Sequence, residues 1–203
     1  MNNAIVAPVK KPEPRKPGER RLQILQTLAA MLEHPKGERI TTAALAKKLD
    51  VSEAALYRHF ASKAQMFEGL IEFIEQTVFG LINQINTKEE DGLTQVRRIV
   101  TMLLNFAETN RGMTRVLIGD ALVIEDERLQ ERMNQVMDRI EASLRQSLKI
   151  AAAQDPRIDE AAIAARANLL LAYVIGRWSR FAKSGFKKRP GEFVDQQLGQ
   201  LVS

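Results

Sequence analysis

The chain has 203 residues, 45% of them hydrophobic and 27% charged, enough to bury a core in one large or two small domains. It holds no Cys, which excludes disulfides, thiol catalysis and thiolate metal sites and fits a reducing cytoplasm. No apolar run approaches the ~20 residues of a membrane span and no signal peptide is visible, so no membrane partner is expected. Of the formal charge of +5, residues 1–21 carry +4, with Lys10, Lys11, Arg15, Lys16, Arg20 and Arg21 against Glu13 and Glu19. Basic charge is therefore an appendage and not a property of the whole surface. Pro8, Pro12, Pro14 and Pro17 stand among those cations. The composition predicts a disordered basic arm over residues 1–18. Two readings of the arm stand: it tracks a nucleic-acid backbone by counterion release, or it only solubilises.

From Glu19 to Glu33, the apolar positions Leu22, Ile24, Leu25, Leu28, Ala29, Met31 and Leu32 fall at helical spacing. His34-Pro35 and Lys36-Gly37 then end the helix, with His34 suited to its C-terminus. The next stretch, ITTAALAKKLDVSEAALYRHFASK over 40–63, reads as two short helices around a tight turn. Thr41 or Thr42 caps the first, and Leu45, Ala46 and Leu49 give it an apolar face. Asp50 takes the left-handed backbone a sharp turn needs, and Ser52 caps the second helix, with Glu53 at the end that favours negative charge. Leu56 and Phe60 face inward, which leaves Ala54, Tyr57 and Arg58 outside. Small, aromatic and cationic groups on the free face of a short second helix suit a major groove, the pattern of a helix-turn-helix reader of DNA. An ordinary capped pair of core helices is the competing reading.

The string YRHF-A-SK that follows resembles the signature closing the DNA-binding domain of the TetR family of bacterial regulators. Ser62 to Gln65 makes a capping box for the next helix, whose first-turn Lys63 opposes the helix dipole unless an anion lies nearby. The resemblance makes that anion a DNA phosphate. It also implies an all-α fold: a helix-turn-helix domain at 19–64 and a helical dimerisation and partner-binding domain at 65–203. Thr41, Thr42, Ser52, Tyr57, His59 and Lys63 are the phosphate-side candidates, with simple packing the alternative for His59. Ala54 and Arg58 are the base-edge candidates, for a thymine methyl and a guanine.

The helix from Lys63 to about Asn86 carries one apolar stripe: Phe67, Leu70, Ile71, Ile74, Val78, Leu81, Ile82 and Ile85. Phe73 and Phe79 fall to either side of it. Phe79 is expected against the following helices, whereas Gly69 and Gly80 share a flank with Phe73 and predict a shallow groove beside that ring. Helices follow from Leu93 to Thr109, from Met113 to about Ile124, and over the charged run EDERLQERMNQVMDRIEASLRQSLKIAA. Leu129, Met133, Val136, Met137, Ile140, Leu144 and Leu148 form the apolar side of that run, and Glu125, Asp126 and Glu127 at its start are expected to be solvated. Asp155-Pro156 breaks the chain before a helix reaching Lys183 that leaves almost no polar face. A helix apolar all round must be covered all round, so a twofold dimer is expected, with Leu170, Val174, Trp178 and Phe181 at its interface. Two recognition helices set ~34 Å apart would then read a palindrome. A weak terminal helix spans Glu192 to Val202.

A narrower resemblance lies in SEAALYRHFASKAQMFEGLIEFIE, TRVLIGDAL and EDERLQERMNQVMDRIEASLRQ, which are similar to the nucleoid occlusion factors of the TetR fold. The resemblance implies a cytoplasmic, nucleoid-associated homodimer that antagonises the division protein FtsZ when bound to chromosomal sites, the number of dimers per site being open. By matching position it implies Phe73, Glu75 and Asn110 as FtsZ contacts, while at Leu81 and Thr109 the chain lacks the basic residues of that pattern. The alternative is a repressor released by a small molecule, for which Asn168, Tyr173 and Arg177 are the chief inward polar candidates. With two His and no Cys, no catalytic constellation forms, and no cofactor or metal is expected.

Overall fold

The computed structural model describes residues 18–33, 40–123 and 125–202. The N-terminal arm, the His34–Gly37 helix stop and Ile124 lie outside these. Among the described residues the chain is all helical. Three short helices come first: α1 (Glu19–Leu32), α2 (Thr42–Lys48) and α3 (Glu53–Tyr57). The long α4 (Lys63–Lys88) and α5 (Gly92–Thr109) follow, then the short α6 (Arg111–Leu117). The chain closes with α7 (Glu127–Gln154), a 3-10 turn at Glu160–Ala162, α8 (Ile163–Lys183) and α9 (Val194–Leu201).

Local chemistry sets most of these boundaries. Thr41, Ser52, Ser62, Asp91 and Asp126 each accept a backbone N–H of the first turn they precede, satisfying donors that the helix itself leaves orphaned. Helix α6 is shorter than its apolar pattern predicts. Gly119 sits at φ 76° and the chain turns there, so residues 118–123 form turns instead of carrying the helix to Ile124.

One continuous core joins the helices. Helix α7 packs against α4, α5 and α8, and α6 packs against α1. The second contact is a backbone-to-backbone approach, because a Cβ at Gly112 would lie 1.8 Å from the Ala29 carbonyl oxygen. Trp178 on α8 is fully buried and donates its indole N–H to the Leu103 carbonyl of α5 at 3.0 Å. On α4, Glu75 is bracketed by Arg132 and Arg139 of α7, and Arg139 lies 4.0 Å over the Phe79 ring. Phe79, beside the stripe, is therefore half-buried against a following helix, as expected.

The expectation for α8 needs correcting. Leu170, Val174, Trp178 and Phe181 are 0–2% exposed within a single chain; they hold α8 to its own subunit and are not available to a partner. Helical periodicity marks them as covered without saying by what. The face left open carries Ala165, Leu169, Ala172 and Gly176, and Leu169 is 50% exposed.

Candidate nucleic-acid interface

Helices α2 and α3 meet through a turn in which Asp50 has φ 54°, the left-handed backbone that Asp tolerates better than most residues. Leu45, Ala46, Leu56 and Phe60 are buried beneath them. Arg21 of α1 lies 4.2 Å over the Phe60 ring and donates to the His59 carbonyl at 3.2 Å, tying the end of the second helix to the first. That link has no signature in a linear reading of residues 40–63.

This packing leaves Thr41, Ser52, Glu53, Ala54, Tyr57, Arg58 and His59 exposed together along one rim. Helix α3 ends sooner than expected, so Arg58 is its C-cap and His59 belongs to the turn after it. The hydroxyl oxygens of Thr41 and Ser52 accept from Ala44 and Ala55 N–H at 3.1 and 3.3 Å. Each hydroxyl hydrogen stays available to a phosphate. Thr42 differs: its hydroxyl donates to Glu53 Oε2 at 2.6 Å, so it braces α2 against α3 and is not a free phosphate donor.

Lys63 also departs from expectation. The anion beside it is Glu125, whose carboxylate pairs with its ammonium while the two side chains are only 19% and 8% exposed. The nitrogen lies 5.5 Å over the Phe67 ring. Glu125 is thus withdrawn from water, contrary to its expected solvation, while Asp126 caps α7. The capping box at α4 forms with a shift. Ser62 accepts from Gln65 N–H at 3.1 Å, and Gln65 reaches back to the N–H of Ala61 at 2.8 Å.

Comparison with known proteins places this arrangement. The tetR-family model of bacterial regulatory proteins matches residues 29–70. The SlmA-like, tetracyclin repressor-like C-terminal domain matches residues 90–203. The nucleoid occlusion factor SlmA of Alteromonas mediterranea is 50% identical over 178 residues, covering 88% of this chain and 91% of its own length. That of Vibrio cholerae is 51% identical over 186 residues, covering 90% and 93%. The chain belongs to the SlmA family of nucleoid occlusion factors. Solved structures share the fold at low identity: the fatty acid degradation regulator FadR from Bacillus halodurans aligns with TM-score 0.75 at 14% identity, over 93% of this chain and 97% of its own.

Of the three partner-contact candidates carried over from the SlmA pattern, Phe73 and Glu75 stand on different sides of α4. Phe73 is half-buried and lines a groove with Arg21, Leu22 and Leu25 of α1 and with Gly69 and Gln76 of α4. The groove expected beside this ring is therefore present, with Gly69 in it and Gly80 elsewhere. Glu75, two residues on, points to the opposite side of α4 and is committed to Arg132 and Arg139. Asn110 lies at the α5–α6 junction, where its side-chain amide donates to the Phe106 carbonyl at 2.8 Å.

The ligand-pocket candidates of the repressor alternative are spent on the protein itself. Asn168 donates to Glu141 at 3.2 Å and Tyr173 to Gln197 at 2.7 Å. Arg177 donates to the carbonyls of Arg189, Pro190 and Glu192 at 2.7–3.0 Å. Burial raises the Tyr173 phenol above its ordinary value. Among the described residues no three His, Cys, Asp or Glu side chains converge as a metal site, and no helix is long and apolar enough to cross a membrane.

Proposed function

We propose that this nucleoid occlusion factor works as a DNA-bound homodimer in the cytoplasm, on the nucleoid, where it antagonises FtsZ ring assembly. The observation carrying the DNA part is the exposed rim of Thr41, Ser52, Ala54, Tyr57, Arg58 and His59 around a buried Leu56 and Phe60. Residues 19–64 form the reading head and 65–203 the dimerisation and partner-binding body. Thr41, Ser52, Tyr57, His59 and Lys63 position phosphates, and Ala54 and Arg58 read base edges. Replacing Arg58 with Ala is expected to cost ~1–3 kcal/mol of operator binding and to relax sequence preference at one position.

The dimer forms through the open face of α8, with Leu169 at its centre and Ala165, Ala172 and Gly176 allowing close backbone approach. FtsZ docks at the Phe73 groove between α1 and α4, next to the reading head. DNA that selects one head arrangement strengthens FtsZ binding, and FtsZ strengthens DNA binding by the same factor. Measuring FtsZ affinity with and without an operator duplex tests this. A rise that Phe73→Ala removes is expected, and equal affinities with and without DNA would refute the linkage.

A further inference from the structure

Lys63 is the first residue of α4, a helix of 26 residues, and its positive charge stands at the end where the dipole already favours anions. An anion there is stabilised twice, by the dipole and by the ammonium. In this chain Glu125 occupies that place. Its backbone is held in the turn after α6 by an N–H donated to the Leu122 carbonyl at 3.0 Å. The same turn is braced by an ion pair between Arg115 and Asp120. Glu125 therefore presents its carboxylate to a residue 62 positions earlier from a structured support. With 19% and 8% side-chain exposure, the pair is screened less than a surface one.

We propose that Glu125 competes with a DNA phosphate for the Lys63 ammonium, so that the segment between α6 and α7 acts as a brake on DNA affinity. This rests on the reading of Lys63 as a phosphate contact. While Lys63 is paired internally, the two residues present no net charge to a polyanion. When a phosphate takes the ammonium, the Glu125 carboxylate is left partnerless beside a second anion. Glu125 is thus a positioning residue for DNA binding: it touches no nucleic acid and acts through Lys63.

The competition is sequence-independent, so a random-sequence duplex of about three helical turns is a sufficient probe, titrated with the full-length protein over a range of salt. Glu125→Gln keeps the shape and removes the charge. It is expected to tighten binding roughly threefold per subunit. It is also expected to steepen the slope of log K against log[salt] by about 0.9 per subunit, as Lys63 becomes free to neutralise one phosphate. A merely structural role for Glu125 would not steepen that slope. Lys63→Gln should weaken binding, and in that background Glu125→Gln should no longer steepen the slope, its remaining effect being the lost repulsion between its carboxylate and the phosphate. Thermal unfolding checks that each variant folds. Should Glu125→Gln fail to fold, Glu125→Asp, which shortens the reach while keeping the charge, is expected to steepen the slope by a smaller amount. Unchanged affinity and slope in the Glu125 variant, with Lys63→Gln still weakening DNA, would overturn the brake and leave the phosphate contact standing. A Lys63→Gln variant that binds as tightly as the parent would overturn both.

Discussion

Substituting Gly112 with Ala should separate α6 from α1. A Cβ built there lies 1.8 Å from the Ala29 oxygen and 2.7 Å from its carbonyl carbon, whereas a carbon normally stops about 3.3 Å from a carbonyl oxygen. The helices must move apart by roughly 1.5 Å, and both sides of the contact are backbone, so no rotamer relieves it. Overpacking of this kind costs ~1–3 kcal/mol, and a clash with no side chain to yield belongs at the upper end. For a chain of this length that is a fall in Tm of roughly 6–12 °C. Because α1 also carries Arg21 to the Phe60 ring and the His59 carbonyl, DNA affinity should fall with it. The assay is thermal unfolding at one fixed protein concentration, since a dimer's Tm depends on concentration. Gly80, with open space around its Cβ position, is the control: Gly80→Ala should gain up to about 1 kcal/mol of helix propensity. A Gly112→Ala protein melting within about a degree of the parent would refute the packing argument.

Leu169→Arg should leave each subunit folded, because that side chain is 50% exposed in one chain, yet yield monomers in sedimentation and weaken palindrome binding; an unaltered dimer would move the interface elsewhere. Acid stability should respond to Asp155, whose carboxyl is held at about 2, below its usual 3.8, by the Arg157 side chain and N–H donating to it. A depressed folded pKa contributes stability that is present above pH 3.8 and lost as pH falls through about 2. Asp155→Asn should therefore lower stability near neutrality, leave it unchanged below about pH 2, and flatten the stability curve between, which pH-dependent unfolding measures.

The reading head was legible because its determinants are local. Thr41, Ser52 and Ser62 cap the helices that follow them, and Asp50 turns where its side chain tolerates a left-handed backbone. What was not legible depends on residues brought together from afar. Periodicity identifies Leu170, Val174, Trp178 and Phe181 as buried, but whether the cover comes from the same chain or a second one is a tertiary fact. Lys63 signalled that it needed an anion; Glu125, 62 residues away, supplies it. Glu75 and Phe73 are near in sequence and matched one pattern, yet a two-residue step on a helix turns them to opposite sides. The early end of α6 traces to Gly119 at φ 76°, a single residue inside an otherwise helical run.

The clasp of Glu75 by two arginines bears on how motion crosses the molecule. Arg132 and Arg139 stand seven residues, about two turns, apart on α7. A slip of α4 along α7 by one turn, about 5.4 Å, would carry the carboxylate out of reach of at least one of them. The two long helices are therefore geared together and travel as one lever. A swivel of the rim at Ser52–His59 that enters α4 through Ser62 is expected to reach α7 through this clasp.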